Sequence, residues 1–295
     1  MTDAEIPQSA GWRMKVAAFA LAAAIFAVLW FLVASLGTKW GWWTWQVGLG
    51  QMTIGIGPMI AMLAVGVSVV AQLIALIKAP RFQPFIIALV ATLISAMLLF
   101  RLQGFGATAL SLPPIHDIQT DWSEPVRFTD AVLEAREAQG ETNPILDDPV
   151  IPEEVDARWP GLGGMRVADA QEQAEQLYLD EERGFKPMDP VFFDQEPNEI
   201  AELAERLLTS RGWELITPFE GQQGRDIIQL EATVTSGWFG FKDDVAVRIK
   251  AVEGATRVDM RSTSRVGLSD IGANSKRVYA FMMEILDRGD GRVES

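Results

Sequence analysis

Three long apolar runs within the first 105 residues restrict what this chain can fold into. They cover residues 16–36, 52–77 and 85–102. A helix needs roughly 20 apolar residues to cross the hydrocarbon core of a bilayer, and a charge at its centre costs about 2.5–3.5 kcal/mol. None of the runs contains a charged residue before Arg101, which lies at the end of the third. The runs therefore predict three transmembrane helices in contact with lipid.

The basic residues around these runs predict their orientation. Arg13 and Lys15 precede the first run, and Lys78 and Arg81 separate the second from the third, whereas Lys39 lies in the first loop. Basic loops tend to stay in the cytoplasm. We therefore expect a multi-pass protein of the bacterial inner (cytoplasmic) membrane, with a cytoplasmic N-terminus and a periplasmic C-terminal domain.

Small residues in the second run suggest where helices approach one another. Gly55, Gly57, Gly66 and Ser68 would each let a neighbouring backbone come close. The tryptophan-rich first loop is typical of the aromatic belt at a membrane surface. Because no run carries a charge near its middle, a proton or ion path is not expected, which argues against a transporter.

The chain beyond residue 105 is strongly acidic. It carries a net charge of −18, whereas residues 1–105 carry +4. Such a domain repels nucleic-acid phosphates, so a nucleic-acid partner is not expected. The chain has no cysteine, and His116 is its single histidine. These counts exclude thiolate metal sites, cysteine nucleophiles and polyhistidine sites within one chain, and we predict no metal and no cofactor.

The last hundred residues predict an α+β domain. Strands are expected at 191–193, 213–218, 227–235, 245–251 and 257–264, with one helix capped by Asn198 and a closing helix over 274–286. The order β-α-β-β-β-β-α indicates an antiparallel sheet packed by helices. The predicted parts are a three-helix transmembrane domain (1–105), a linker and wrapping segment (106–190), the α+β domain (191–288) and a C-terminal tail (289–295).

The linker contains little predicted regular structure. Residues 129–138 predict a short helix with Thr129 as its N-cap, and residues 168–179 predict a polar helix. Several prolines lie between residues 140 and 164, where they disfavour helices and strands.

The residues of two strands and the following turn resemble a known family. They are residues 240–244 (GFKDD), 261–267 (RSTSRVG) and 270–274 (DIGAN) with Arg277. Their order and spacing are similar to those of the domain of unknown function 1499 family, in its membrane-anchored bacterial form, and the similarity extends over most of residues 112–287. Gln119 and Val126 depart from the family's usual residues. The resemblance implies no activity, because the family has no assigned biochemical function.

Alternation along strand 257–264 separates two sets of side chains. Ser262 and Ser264 point to one face, and Arg261 and Arg265 to the other. If the preceding strand pairs with this one, an aspartate of the Asp243–Asp244 pair faces an arginine. One interpretation is a polar network that specifies the fold. The other is an arginine-lined recess for a carboxylate or phosphate ligand, near the N-terminus of the closing helix. The candidate binding residues are Arg261, Ser262, Ser264, Arg265, Asp243, Asp244, Asp270, Asn274 and Arg277.

A second candidate cluster follows the third apolar run. His116, Asp117 and Asp121 are the residues from which a hydrolase or transferase site would have to be built. The alternative is that His116 braces the exit from the third helix. No catalytic residue is assigned.

These features favour a membrane protein whose extracytoplasmic domain is a ligand-binding or protein-interaction module of the cell envelope. The expected partners are the lipid bilayer, membrane or envelope proteins, and a small anionic or lipid-like ligand. An envelope hydrolase or transferase using His116 and nearby aspartates is the alternative.

Overall fold

The computed structural model describes residues 11–175 and 188–292. The chain divides into two compact units. The first contains the residues up to Thr108 together with Gly237–Gly240, and the second contains Ala109–Ser236 and the residues from Phe241 on.

The first unit is built from three long helices. They are α1 (Gly11–Lys39), α2 (Gly57–Leu76) and α3 (Phe82–Ser111), and a π-helical segment (Gln46–Ile56) runs directly into α2. α1, α3, and the π-helical segment together with α2, are each long and apolar enough to cross a membrane. Helices α1 and α3 extend beyond the predicted apolar runs at both ends, because a helix can continue into the interface, where water and head groups satisfy its ends. The second predicted run, 52–77, is divided between the π-helical segment and α2, which ends at Leu76.

Small residues pack the first unit, as in many membrane helix bundles. Alanines of α1, α2 and α3 form its buried centre. The closest approach is at Gly48, where a Cβ atom would lie 1.8 Å from Thr38 Oγ1. The prediction for Gly66 was wrong, since nothing described lies within 4 Å of its Cβ position. At Gly57 a Cβ atom would lie 3.3 Å from the Met52 carbonyl oxygen of the preceding segment, and 3.7 Å from Leu102 Cδ1 of α3.

Arg13 and the turn that contains Lys78 and Arg81 lie at one end of the first unit. Arg13 Nη2 donates to the carbonyl oxygen of Ala79, at 2.8 Å. This bond places the start of α1 beside the turn between α2 and α3. Lys39 lies at the opposite end of α1.

The second unit contains one antiparallel six-stranded sheet. Its strands are β1 (Asp117–Gln119), β2 (Val191–Phe193), β3 (Glu214–Thr217), β4 (Ile227–Thr235), β5 (Lys242–Val252) and β6 (Ala255–Ser264). The spatial order is β1-β6-β5-β4-β3, and β2 pairs with the same edge of β6 as β1 does. Its helices are α4 (Asp130–Glu137), α5 (Val167–Glu175), α6 (Pro197–Ser210) and α7 (Ala273–Arg288). The predicted β-α-β-β-β-β-α order is confirmed from β2 to α7, and β1 is an additional strand.

The two faces of the sheet differ in character. One face carries the apolar side chains of β4, β5 and β6, and packs against α6 and α7 through residues such as Leu207 and Phe281. The other face carries buried charged residues, and its polar groups bond to residues 120–147. Register explains this division, because Ala246 lies opposite Arg261 and Arg248 opposite Asp259 on the polar face.

Some local predictions were wrong. The N-cap of α6 is Glu196, and Asn198 lies within the helix, where its side chain accepts a bond from the Gly224 N–H at 3.2 Å. Thr129 is the N-cap of α4, as predicted, but its hydroxyl bonds to Glu231 instead of to the helix. The predicted helix at 168–179 is seen as Val167–Glu175, and residues 176–179 lie outside the described residues.

Candidate functional site

The predicted binding residues divide between the two faces of the sheet. Arg261 and Arg265 lie on the polar face with Asp244. Ser262, Ser264, Asp243, Asn274 and Arg277 lie together on the helix-covered face. The structure therefore brings the predicted residues into two separate groups.

Arg261 is completely buried, and protein atoms occupy its donors. Its Nε and Nη2 donate to the two carboxylate oxygens of Asp117, at 3.0 and 2.6 Å. Nη1 donates to the carbonyl of Val126 at 2.9 Å, and Nη2 also donates to that of Leu146 at 2.7 Å. Such a bidentate pair has a fixed geometry, so Arg261 fixes β1 and two points of the following segment to β6.

Arg265 makes an equally extensive set of bonds. Its Nε and Nη2 donate to Asp244, with a shortest distance of 2.7 Å, and Nη2 also donates to Thr233 Oγ1 at 3.0 Å. Nη1 donates to the Ala135 carbonyl at 3.1 Å and to Gln139 Oε1 at 2.9 Å. An aspartate of β5 thus faces an arginine of β6, as the strand alternation predicts.

Asp244 binds a second arginine that the sequence analysis did not include. Arg136, in the last turn of α4, donates to Asp244 Oδ2 at 2.7 Å and to the Asn143 carbonyl at 2.6 Å. Its burial was not predictable from α4 alone, because a basic residue in a short polar helix is normally exposed.

A third group of charges lies further along the same face. Arg248 donates to Asp259 Oδ2 at 2.9 Å, and Arg257 bridges Asp259 and Asp121 at 2.7 and 2.6 Å. Burial raises the pKa of Asp121, but hydrogen bonds from Ser123 and Arg257 outweigh this effect and lower the pKa to about 2. Burial by itself lowers the pKa of the Arg257 guanidinium. Its hydrogen bonds to Asp259 and Asp121 raise the pKa by more than burial lowers it, so the net change is an increase.

We call these residues the buried ion-pair layer. Its members are Asp117, Arg136, Asp244, Arg248, Arg257, Asp259, Arg261 and Arg265. Charges removed from water need partners of opposite charge and further hydrogen bonds. Here the partners come from β1, α4 and the loops beside them, so the layer holds residues 117–147 on the sheet.

The second group lies beside the first turn of α7. Ser262 Oγ donates to Asn274 Oδ1 at 2.7 Å, and Asn274 Nδ2 donates to Ser264 Oγ at 3.0 Å. Arg277 donates to Ser262 Oγ at 2.8 Å and to Asp243 Oδ2 at 2.7 Å. We call these five residues the helix-side cluster; they join α7 to the ends of β5 and β6.

Asp270 lies in the turn before α7. Its Oδ1 accepts the Gly272 N–H at 2.8 Å, and its Oδ2 accepts the Asn274 N–H at 2.6 Å. Burial raises the pKa of Asp270 to about 6, and the negative charge of Asp243 adds to this effect, although both backbone bonds and Arg277 oppose it.

His116 joins the helix-side cluster through its backbone. Its carbonyl accepts Asn274 Nδ2 at 2.9 Å and the Ser264 N–H at 2.8 Å. Burial lowers the pKa of the imidazole, although the charge of Asp117 raises it in part. The ring Nδ1 is buried and has no hydrogen-bond partner in the part of the chain that the structure describes. The described residues contain no group of His, Asp and Glu arranged to hold a metal ion.

A recess that the sequence analysis missed begins where α3 ends. Its volume is about 420 Å³, and its walls are residues 110–113, residues 158–160 with Leu162, and one side of α5. The guanidinium of Arg158 lies over the ring of Trp159, 5.0 Å from its centroid. The indole N–H is buried and meets no acceptor among the described residues. Three separate segments form this recess, so no local motif marks it.

Comparison with protein families identifies the second unit. The model of a family described as "Protein of unknown function (DUF1499)" matches residues 117–285, more than half of the chain. The chain belongs to this family. No curated protein and no solved structure matches it.

The DUF1499 match has informative limits. It begins at Asp117, the first residue of β1, and ends at Ile285 in α7. It therefore includes the buried ion-pair layer and the helix-side cluster, and leaves out the three long apolar helices. Arg158 and Trp159 of the recess lie within the DUF1499 region, whereas Leu110–Pro113 precede it.

Proposed function

We propose that this DUF1499 protein is a multi-pass protein of the bacterial inner membrane whose acidic domain lies outside the cytoplasm and binds a lipid-like or anionic ligand. The recess next to the end of α3 is the observation that carries the proposal. Its volume of about 420 Å³ is within the usual range for ligand pockets, roughly 300–1,000 Å³. Its walls combine apolar side chains with one arginine, which suits an amphipathic molecule.

The roles of the candidate acidic residues support binding over catalysis. Asp117 accepts hydrogen bonds from Nε and Nη2 of Arg261, and Asp121 accepts one from Nη2 of Arg257. A general acid or base needs an atom within hydrogen-bond reach of the substrate. These carboxylates are instead engaged in holding the segment after α3 on the sheet.

The binding proposal is tested with the full chain purified in a mild detergent. A ligand that binds only the folded state raises stability by RT ln(1 + [L]/Kd), which is about 2.7 kcal/mol at a ligand concentration of 100 Kd. Added phospholipid or fatty acid should therefore raise the unfolding midpoint of the acidic domain. If no amphiphile shifts it at saturating concentration, the proposal is wrong.

An envelope hydrolase or transferase is the second candidate, and one observation favours it. The buried Nδ1 of His116 has no partner in the described residues, and burial lowers the pKa, which favours the neutral ring that a general base requires. Substituting His116 by Asn preserves a polar side chain of similar reach. A variant that folds normally but loses all cellular function would support catalysis; one that retains function would exclude a catalytic imidazole.

The orientation rests on the basic residues at one end of the first unit. Arg13 and the turn that contains Lys78 and Arg81 lie together, joined by the bond from Arg13 to Ala79. Under the positive-inside rule this end faces the cytoplasm. Alkaline phosphatase fused after Ser295 should then be active, and green fluorescent protein at the same place dark. The opposite pattern would place the domain in the cytoplasm.

A further inference from the structure

We infer that the recess is a phospholipid site in which Arg158 binds the phosphate and the leucine side chains hold the start of one acyl chain. This inference rests on the proposed binding function and names its ligand. It is argued from the position of the recess along the chain, from the single cation among the described residues that line it, and from its apolar walls.

The length of α3 is comparable to the thickness of a bilayer. Helix α3 has 30 residues, and at about 1.5 Å per residue it measures roughly 45 Å. A bilayer is about 40–45 Å thick including its head groups, of which the hydrocarbon core takes about 30 Å. A helix of this length ends at the head-group level. Leu110 and Ser111, its last residues, line the recess, so the recess begins where lipid phosphates lie.

Arg158 differs from most other arginines of the second unit. Most arginines of the second unit bind carboxylates, such as Arg248 with Asp259 and Arg277 with Asp243. Arg158 is exposed and forms no ion pair with a described residue. A planar guanidinium is well suited to phosphate oxygens, which it can bind through two parallel bonds. Arg158 is therefore the cation, among the described residues that line the recess, whose donors are available to an anionic group.

The acidity of the domain affects the choice of lipid. The residues beyond 105 carry −18, which disfavours the approach of an anion. This repulsion is screened beyond about 8 Å at physiological ionic strength, whereas a contact at Arg158 is not. A zwitterionic phospholipid offers a phosphate without net negative charge. Phosphatidylethanolamine is thus the probe that best fits both the local cation and the overall charge.

Much of the recess wall is apolar. Leu110, Leu112 and Leu162 line the recess together with Ala170 and Ala174 of α5. Each buried methylene of a chain gains about 0.8 kcal/mol. Leu110 belongs to the last turn of α3, so an acyl chain bound here would contact the end of that helix.

The test uses the full chain and a phosphatidylethanolamine with a photoreactive group early in one acyl chain. Lipids bind all membrane helices, so the site of labelling is the informative result. Trypsin releases residues 159–166 as one peptide from the wild type. We expect this peptide to be labelled, and expect a diacylglycerol with the same photoreactive chain but no phosphate to label it roughly tenfold less, the effect of losing one charge-assisted contact.

Matched variants test each part of the site. Arg158→Lys keeps the charge and the trypsin site and should retain most of the labelling. Arg158→Gln, scored on the peptide that ends at Arg166, should lower it roughly tenfold. Ala174→Trp, on the side of α5 that lines the recess, should fill the recess and abolish the labelling. Arg206→Gln, at an exposed arginine of α6, is the control and should change nothing.

Three outcomes would overturn the inference. Labelling of the 159–166 segment that is equal in wild type and Arg158→Gln would exclude the phosphate contact. Lipid-dependent stabilisation of the domain without labelling of the segments that line the recess (110–113, 158–162 and 170–174) would exclude the recess and leave the proposed binding function standing. Labelling limited to residues 11–101, without stabilisation, would exclude both.

Discussion

Substitution of Asp117 by Ala should destabilise the C-terminal domain far more than a change of one surface charge. Arg261 has 0% of its surface exposed and Asp117 has 1%. Without the carboxylate, the guanidinium stays charged in the interior and keeps only the Val126 and Leu146 carbonyls as acceptors. Breaking a buried ion pair by removing one partner costs about 3–5 kcal/mol. For a unit of this size that corresponds to a fall in the unfolding midpoint of roughly 6–20 °C.

Pulse proteolysis of the full chain in mild detergent, across a urea series, measures this loss, because protease cleaves the unfolded domain. The double variant Asp117→Leu with Arg261→Met should lose much less, since an apolar pair can replace a buried ion pair at little cost. Asp147→Ala breaks an exposed pair with Arg127, whose side chains are 49% and 78% exposed, and should change little. A loss below about 1 kcal/mol for Asp117→Ala would refute the reasoning.

Two further predictions concern other parts of the chain. Gly48→Ala should lower the thermal stability of the helical unit in detergent, because the new Cβ would lie 1.8 Å from Thr38 Oγ1, whereas Gly66→Ala, with open space around it, should be neutral; equal effects would contradict this packing. Asp270 has a pKa raised to about 6, which means that the folded domain favours the protonated carboxyl. The resulting stabilisation is fully present below the ordinary pKa of an aspartate and is lost as the pH rises through about 6. It is of the order of 2–3 kcal/mol. The stability of Asp270→Asn relative to wild type should therefore rise from pH 4 to 6 and level off above 7, and a difference that is constant with pH would refute the assignment.

Sequence periodicity correctly predicted the long strands that have a neighbouring strand on each side. Strand β4 was predicted with the bounds Ile227–Thr235 that the structure has, and the alternation in β6 placed Ser262 and Arg261 on the correct opposite faces. Both strands are long, and each half-buried face leaves a regular pattern in the sequence.

The missed features depend on residues far away in the chain. Strand β1 has only three residues, and its register is set by pairing with β6 and by the bond between Asp117 and Arg261. No local pattern encodes such a strand. Arg261 is paired with Asp117, and this contact depends on tertiary packing that periodicity does not contain. The recess likewise depends on the packing of three separate segments.

The position of β1 has a consequence for how the domain is made. This strand is the first of the sheet to be synthesised, and its partner β6 is the last, with Asp117 opposite Thr263. Domains of this size commonly assemble through intermediates, and pairing across so long a separation is slow because loop closure must come first. A chain interrupted before β6 would lack Arg261 and Arg265 and leave several carboxylates without counter-ions. We therefore expect the sheet to close only after β6 has been synthesised, and products truncated before β6 to be degraded instead of accumulating as stable fragments.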